Sequence, residues 1–270
     1  MGPKGAKMEM EAAHPQADGF VGVFDSGVGG VSVLQHLVRE LPHEDFHYFG
    51  DSAHAPYGER SVEEVCELTD AIVDRMVTDG AKAIVIACNT ATSAAAPELR
   101  ERYANLPIVG VEPALKPAVL AGGEGDILVM GTEITLRLEK FQKLEERWAS
   151  GAPVRAVACV GLAGRIEHGN LDDADVHELL EHLLGAHRGE VDRVVLGCTH
   201  YPFVRSQIAD VLGDVRFFDG GAGTARQLRR LLDQRELLRD ETHVGEVSFA
   251  SSIDSPEELE LYRWFFTQPC

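Results

Sequence analysis

Nowhere in the 270 residues is there a run near the roughly 20 consecutive apolar residues that a bilayer-spanning helix requires. The opening residues 1–19 carry Lys, Glu, His and Pro but lack the apolar middle of a secretory signal. They read as a flexible leader, and export is not expected. Basic side chains are scarce, 25 Lys and Arg against 44 Asp and Glu, which leaves a net charge of −19 and no basic run. A phosphate backbone or an anionic membrane surface finds no electrostatic footprint here, so direct nucleic-acid binding and membrane association are disfavoured. Cysteines number five, at 66, 88, 159, 198 and 270, with no pair at metal-ligand or redox-motif spacing, which fits a reduced, cytoplasmic chain. A P-loop is missing too, and no lysine falls within the four polar signatures described below, so a pyridoxal Schiff base has no anchor. Any carbon chemistry is expected to run without an organic cofactor.

What is present is ordinary globular material, 44% hydrophobic and 26% charged residues, enough to bury a core. Short apolar runs alternate with amphipathic stretches, the pattern of a parallel sheet between helices. The runs are 20–24, 46–49, 83–87, 108–111, 127–130, 154–158, 194–196 and 215–218, and a further strand is predicted at 247–250. Helical spacing of three and four links Val31 to Leu41, Val62 to Met76 and Val176 to Leu184, with Ser61 and Asp172-Asp173 as start signals. The fold class is α/β. The aromatic cluster Tyr262, Trp264, Phe265 and Phe266 near the C-terminus is expected to dock onto the body.

Four signatures begin where predicted strands stop: Asp25-Ser26-Gly27-Val28-Gly29-Gly30, Gly50-Asp51 through Pro56-Tyr57-Gly58, Cys88-Asn89-Thr90, and Cys198-Thr199-His200-Tyr201-Pro202. Ligands of open α/β sheets bind beyond the carboxyl ends of the strands, so the four could converge on one pocket. The glycines let backbone amides approach an anion and feed a helix near Val31. Cys88 and Cys198 share one local grammar: an apolar strand, the cysteine, then small polar residues opening a helix. A thiol at a helix N-terminus feels the macrodipole and free N–H groups, both of which favour thiolate.

A lone strand-end cysteine usually packs as a small hydrophobe, and Cys66 is assigned to the core on that ground. The matched pair points instead to chemistry, because packing gives no reason for Asn-Thr and Thr-His to follow. Two opposed thiols could invert a stereocentre, one taking a proton while the other returns one. A zinc site from Cys88, Cys198, His200 and Asp25 remains an alternative. So does a pure binding role for the acidic surface. The duplicated cysteine context suggests two domains, 20–111 with 220–270, and 112–219, with the active site in the cleft between them.

The residues also carry a resemblance. Val23 to Gly30, Gly50-Asp51 with Pro56-Tyr57-Gly58, Ala87-Cys88-Asn89-Thr90-Ala91, Gly110-Val111-Glu112-Pro113, Gly131-Thr132 and Gly197 to Pro202 look like the glutamate racemases of bacterial cell-wall synthesis, in order, from about Val21 to Gly221. The resemblance implies cofactor-free interconversion of L- and D-glutamate by two cysteines, Cys88 and Cys198, at the interface of two similar α/β domains. It implies that Asp25 assists Cys88, and that His200 and Glu167 assist Cys198. Substrate contacts carried over are Asp25, Ser26, Tyr57, Gly58, Asn89, Thr90, Thr199 and His200. A relative acting on aspartate or hydantoin would share the paired cysteines, but the Asp-Ser-Gly and Cys-Thr-His-Tyr-Pro runs favour glutamate. The family is often dimeric, so a homodimer is implied, and some members are reported to act on gyrase. Where the family has a proline-containing approach to the glutamate, this chain reads Cys159 to Glu167 with glycines at 161 and 164, which implies a looser backbone.

Overall fold

The computed structural model describes residues 15–148 and 153–270. Nine strands form two parallel sheets. The first holds β1 (Phe20–Asp25), β2 (Phe46–Gly50), β3 (Ala81–Ile86), β4 (Ile108–Gly110) and, last in the chain, β9 (Val247–Ser251); the second holds β5 (Asp126–Gly131), β6 (Val154–Ala158), β7 (Val191–Leu196) and β8 (Arg216–Asp219). The strand orders are β4-β3-β1-β2-β9 and, from the matching edge, β8-β7-β5-β6. The first four positions follow the same rule in both sheets, so the duplication suspected from the cysteines extends to topology. Both sheets even slip register at the same place, beside Phe20/Val21 and beside Asp126/Ile127.

The central strands β1, β3, β5 and β7 are buried along nearly their whole length, as helices on both faces require. All nine predicted strands are present, with ends that differ by up to three residues. Ser61 caps the helix Val62–Thr78 through a full capping box with Glu64. Asp173 stands at the start of the helix Ala174–Leu184, but its side chain makes no capping bond, and Asp172 instead pairs with His177. Tyr262 and Phe265 of the helix Pro256–Thr267 are buried as expected, whereas Trp264 remains largely exposed. Cys66 is only half-buried at the rim of the core. Among the described residues no helix is long and apolar enough to cross a membrane.

Residues 1–14 of the expected leader lie outside the described residues, but the leader's last residues are held. Lys82, fully buried on β3, donates to Ala17 O at 2.6 Å and to Leu237 O at 2.9 Å, and pairs with Glu44 Oε2 at 2.5 Å. Arg239 ties Asp18 O and Gly19 O from the same side. One buried ammonium thus joins both ends of the first sheet's chain. Lys82→Met leaves the Glu44 charge without its partner, and removing one member of a buried pair costs about 3–5 kcal/mol. Denaturant unfolding should show that loss; a change below about 1 kcal/mol rejects this role for the lysine.

Candidate active site

Beyond the carboxyl ends of the two sheets, the signatures meet. Cys88 stands two residues past β3 and Cys198 two past β7, which are equivalent strands in the two sheets. Both are buried, 6% and 8% exposed. Cys88 is the N-cap of the helix Asn89–Arg102, its sulfur accepting from Ala91 N–H at 3.5 Å. Its thiol lies 3.8 Å from Ser26 Oγ.

The expected thiolate preference of Cys88 is overturned. Burial, with the charge of Asp25 behind it, pushes the Cys88 thiol up to about 12 against the pull of the Ala91 amide. The helix terminus is too weak to offset desolvation, so Cys88 rests as a proton donor. The charge of Cys198 also raises it, which marks the two sulfurs as electrostatic neighbours. Cys198 differs locally as well: it opens a turn into the short 3-10 helix Tyr201–Val204 rather than capping an α-helix.

Asp25 ends β1 with no exposed surface. Its carboxylate accepts from Gly27 N–H at 2.9 Å and from Thr199 Oγ1 at 3.1 Å, while Ser26 Oγ lies 3.5 Å away. No direct bond to Cys88 forms; Ser26 stands between them. Burial raises the Asp25 carboxyl to about 6, partly countered by the positive charge of His200.

On the other side, Cys198 Sγ is 3.6 Å from His200 Nδ1, and His200 Nε2 is 2.5 Å from Glu167 Oε2. Glu167 sits at the end of the short helix Leu162–Glu167, which opens on Gly161 at φ 79°, a left-handed value that suits glycine. The glycine approach is therefore a defined turn that delivers the carboxylate inward rather than a loose segment. Glu167 also accepts from Val28 N–H at 3.1 Å and from Ser52 Oγ at 2.9 Å. Burial opposes its charge, yet the hydrogen bond and charge of His200, with Ser52 and Val28, hold its carboxyl below the usual range. Burial likewise opposes a charged His200, but Cys198 and Glu167 together lift it well above an ordinary imidazole. Thus the anion that the glycine loop grips is Glu167 of the facing sheet. A Cβ on Gly27 would land on the Glu167 carboxylate, and one on Gly29 would meet the His200 ring.

The neutral polar side chains lie close to the two cysteines in sequence. Asn89, Thr90 and Thr199 are buried at the same strand ends, and the Oδ1 of Asn89 has no partner at all. Thr90 Oγ1 meets Thr132 Oγ1 at 3.0 Å across the gap between the sheets. Gly58 also faces Thr132, so the loop 56–58 closes on the second sheet. Tyr57 contributes a ring wall rather than a donor, because its hydroxyl is given to Asp51 Oδ2 at 2.6 Å. Thr132, named only as part of the Gly131-Thr132 signature, and Tyr262, named only in the docking aromatic cluster, had no site role in the sequence reading, and Thr135, Ser52 and Tyr48 were not singled out. Thr132 follows β5 as Ser26 follows β1, so the duplication held that signal. Ser52 and Tyr262 gave none, since nothing in either local pattern ties residue 52 to residue 262. Among the described residues no three His, Cys, Asp or Glu side chains are disposed to hold a metal ion. The nitrogens of His200 face Cys198 and Glu167, and Asp25 is taken up by Gly27 and Thr199, so the four residues of the zinc alternative do not converge as a ligand set.

Comparison with known proteins agrees with this geometry. Residues 21–228 match the family model for Asp/Glu/Hydantoin racemases. A glutamate racemase of Pseudomonas paraeruginosa is 47% identical over 242 residues, 89% of this chain and 91% of that one. One from Clostridium perfringens is 43% identical over 245 residues, 90% and 94% of the two chains. The crystal structure of glutamate racemase from Francisella tularensis in complex with D-glutamate superposes with a TM-score of 0.80 at 26% identity, covering 94% of this chain and 95% of that one. With two like sheets and paired strand-end cysteines, the chain belongs to the Asp/Glu/Hydantoin racemase family and, within it, to the glutamate racemases.

Proposed function

We propose that the site interconverts L- and D-glutamate by two-base proton transfer, Cys88 and Cys198 acting from opposite faces of the α-carbon. The observation that carries this reading is their placement at equivalent strand ends of two sheets with one strand order, close enough for the charge of Cys198 to be felt at Cys88. One sulfur takes the α-proton while the opposite thiol returns a proton to the other face, and the reverse reaction exchanges the roles. His200 passes a proton to or from Cys198, with Glu167 fixing its ring. Asp25 keeps Cys88 protonated until a substrate ammonium or a closing contact changes the local charge. Ser26, Thr90, Thr199 and Asn89 supply neutral contacts, and the unpartnered Asn89 oxygen suits a substrate ammonium. The two units are 20–111 with 220–270, and 112–219; they part to admit substrate, since both cysteines are buried. The D-glutamate formed would feed peptidoglycan synthesis in the cytoplasm.

In deuterated solvent, early product should carry deuterium at the α-carbon while recovered substrate stays protiated, because each face has its own base. Mass spectrometry of both enantiomers at low conversion checks this. Equal early labelling of both would point to a single shared base and end the two-base reading. Turnover of D-aspartate in preference to D-glutamate would instead move the chain to a different substrate within the family.

A further inference from the structure

Six side chains form a continuous line ending at Cys198. Ser251 Oγ is 3.0 Å from the Tyr262 hydroxyl, which is 2.8 Å from Ser52 Oγ, which is 2.9 Å from Glu167 Oε1. Glu167 Oε2 is then 2.5 Å from His200 Nε2, and His200 Nδ1 is 3.6 Å from Cys198 Sγ. Counting protons orders this line. An ionised Glu167 can only accept, so Ser52 spends its one hydrogen there, and the single hydrogen of Tyr262, which donates to Ser251 Oγ, is the only one left for the Ser52–Tyr262 contact, so the two serine oxygens compete for it. The bond that matters most is the one Ser52 donates to the Glu167 charge, since a charged acceptor makes the stronger hydrogen bond. The Tyr262 ring is locked by an edge contact with Tyr48 at 5.5 Å.

The line also crosses from one half of the chain to the other. Val28, Ser52 and Tyr262 hang from the first sheet, whereas Glu167, His200 and Cys198 belong to segments of the second. Both contacts that hold Glu167 apart from His200 are therefore made across the gap. When the halves part, Glu167 loses the Val28 amide and the Ser52 hydroxyl together. His200 then faces a carboxylate free to turn toward water.

We infer that Ser52 and Tyr262 are positioning residues that complete the Cys198–His200–Glu167 array only when the halves close, so that this base is assembled around a bound substrate. The inference rests on the assignment of Cys198 as one of the two acid–base groups. It gives the C-terminal helix a part in the chemistry without contact with substrate. It also explains why a serine in the loop after β2 is turned inward rather than toward solvent.

The test uses the full chain with Ser52→Ala, Ser52→Thr and Tyr262→Phe, assayed with L- and D-glutamate carrying hydrogen or deuterium at the α-carbon. Losing a hydrogen bond to a charged group costs about 1.5–3 kcal/mol, so Ser52→Ala should lower kcat/KM about 10- to 100-fold. Tyr262→Phe, one step further away, should lower it about threefold by the same reasoning on a neutral bond of about 0.5–1.5 kcal/mol. Ser52→Thr, which keeps the hydroxyl, should recover most of the loss. The substrate isotope effect should grow for one enantiomer only, the one whose α-proton Cys198 removes. A merely structural role would move both enantiomers alike and would not be rescued by threonine; that result, or activity of Ser52→Ala within twofold of the parent, overturns the inference. Cys198→Ser is measured alongside. If it stays active, the two-base reading itself has failed; if it is inactive while Ser52→Ala is unaffected, only the positioning role has.

Discussion

Cys88→Ser and Cys198→Ser should each lower kcat/KM for both enantiomers of glutamate by about 10³-fold, within the 10²–10⁴-fold range of positioned acid–base groups. Both directions must fall together, because the two enantiomers are equal in free energy. The loss should be chemical rather than structural. Cys88 Sγ accepts from Ala91 N–H as a helix cap, and serine is a favoured cap that keeps that bond. At Cys198, serine is smaller than cysteine and introduces no clash. Melting temperatures should therefore stay within a few degrees while racemisation, followed by circular dichroism, nearly stops. A serine cannot take up the proton-accepting role at neutral pH, since a hydroxyl ionises far less readily than a thiol. Retention of even a tenth of the activity by either variant removes that cysteine from the mechanism.

Gly27→Ala tests the opposite wall of the same site without replacing a titratable residue. The added methyl would occupy the space of the Glu167 carboxylate, and the side chain, being the movable partner, must withdraw. Val28 N–H and the buried His200 then lose their acceptor, which costs about 1–3 kcal/mol in stability by the penalty for an unsatisfied buried group. Racemisation should fall about 10²-fold, again within the acid–base range. The clash has one partner, so in a Glu167→Ala background the same glycine substitution should cost under 0.5 kcal/mol more. Such strong non-additivity is the signature of direct contact. Simple addition of the two stability losses would show that the alanine disturbs the backbone turn instead.

How much of this was legible beforehand differs by kind of residue. Strand-end cysteines followed by small polar residues announced themselves, because period-two apolar runs give strand ends and the chemistry sits there. Asp25, His200 and Thr199 stand near such ends, and Thr199 is found bonded to Asp25. The charge state of Cys88 did not follow from local pattern. A helix N-terminus argues for thiolate, but the depth of burial and the carboxylate of Asp25 are properties of the assembled pocket. Glu167 lies 33 residues from His200 and 115 from Ser52 in sequence, and a short helix launched from left-handed Gly161 brings it to both. Ser52 and Tyr262 were invisible because a contact spanning 210 residues leaves no trace in spacing.

β9 and the helix Pro256–Thr267 complete the first sheet only after the chain has built the whole of the second. A polypeptide emerging from the ribosome thus finishes the second sheet before the first, and the hydroxyl of Tyr262 arrives only after Ser52, Glu167 and His200 have all been made. Until the helix Pro256–Thr267 seats, Ser52 lacks its Tyr262 contact, so a nascent chain can look folded by its second sheet before the line to Cys198 is complete.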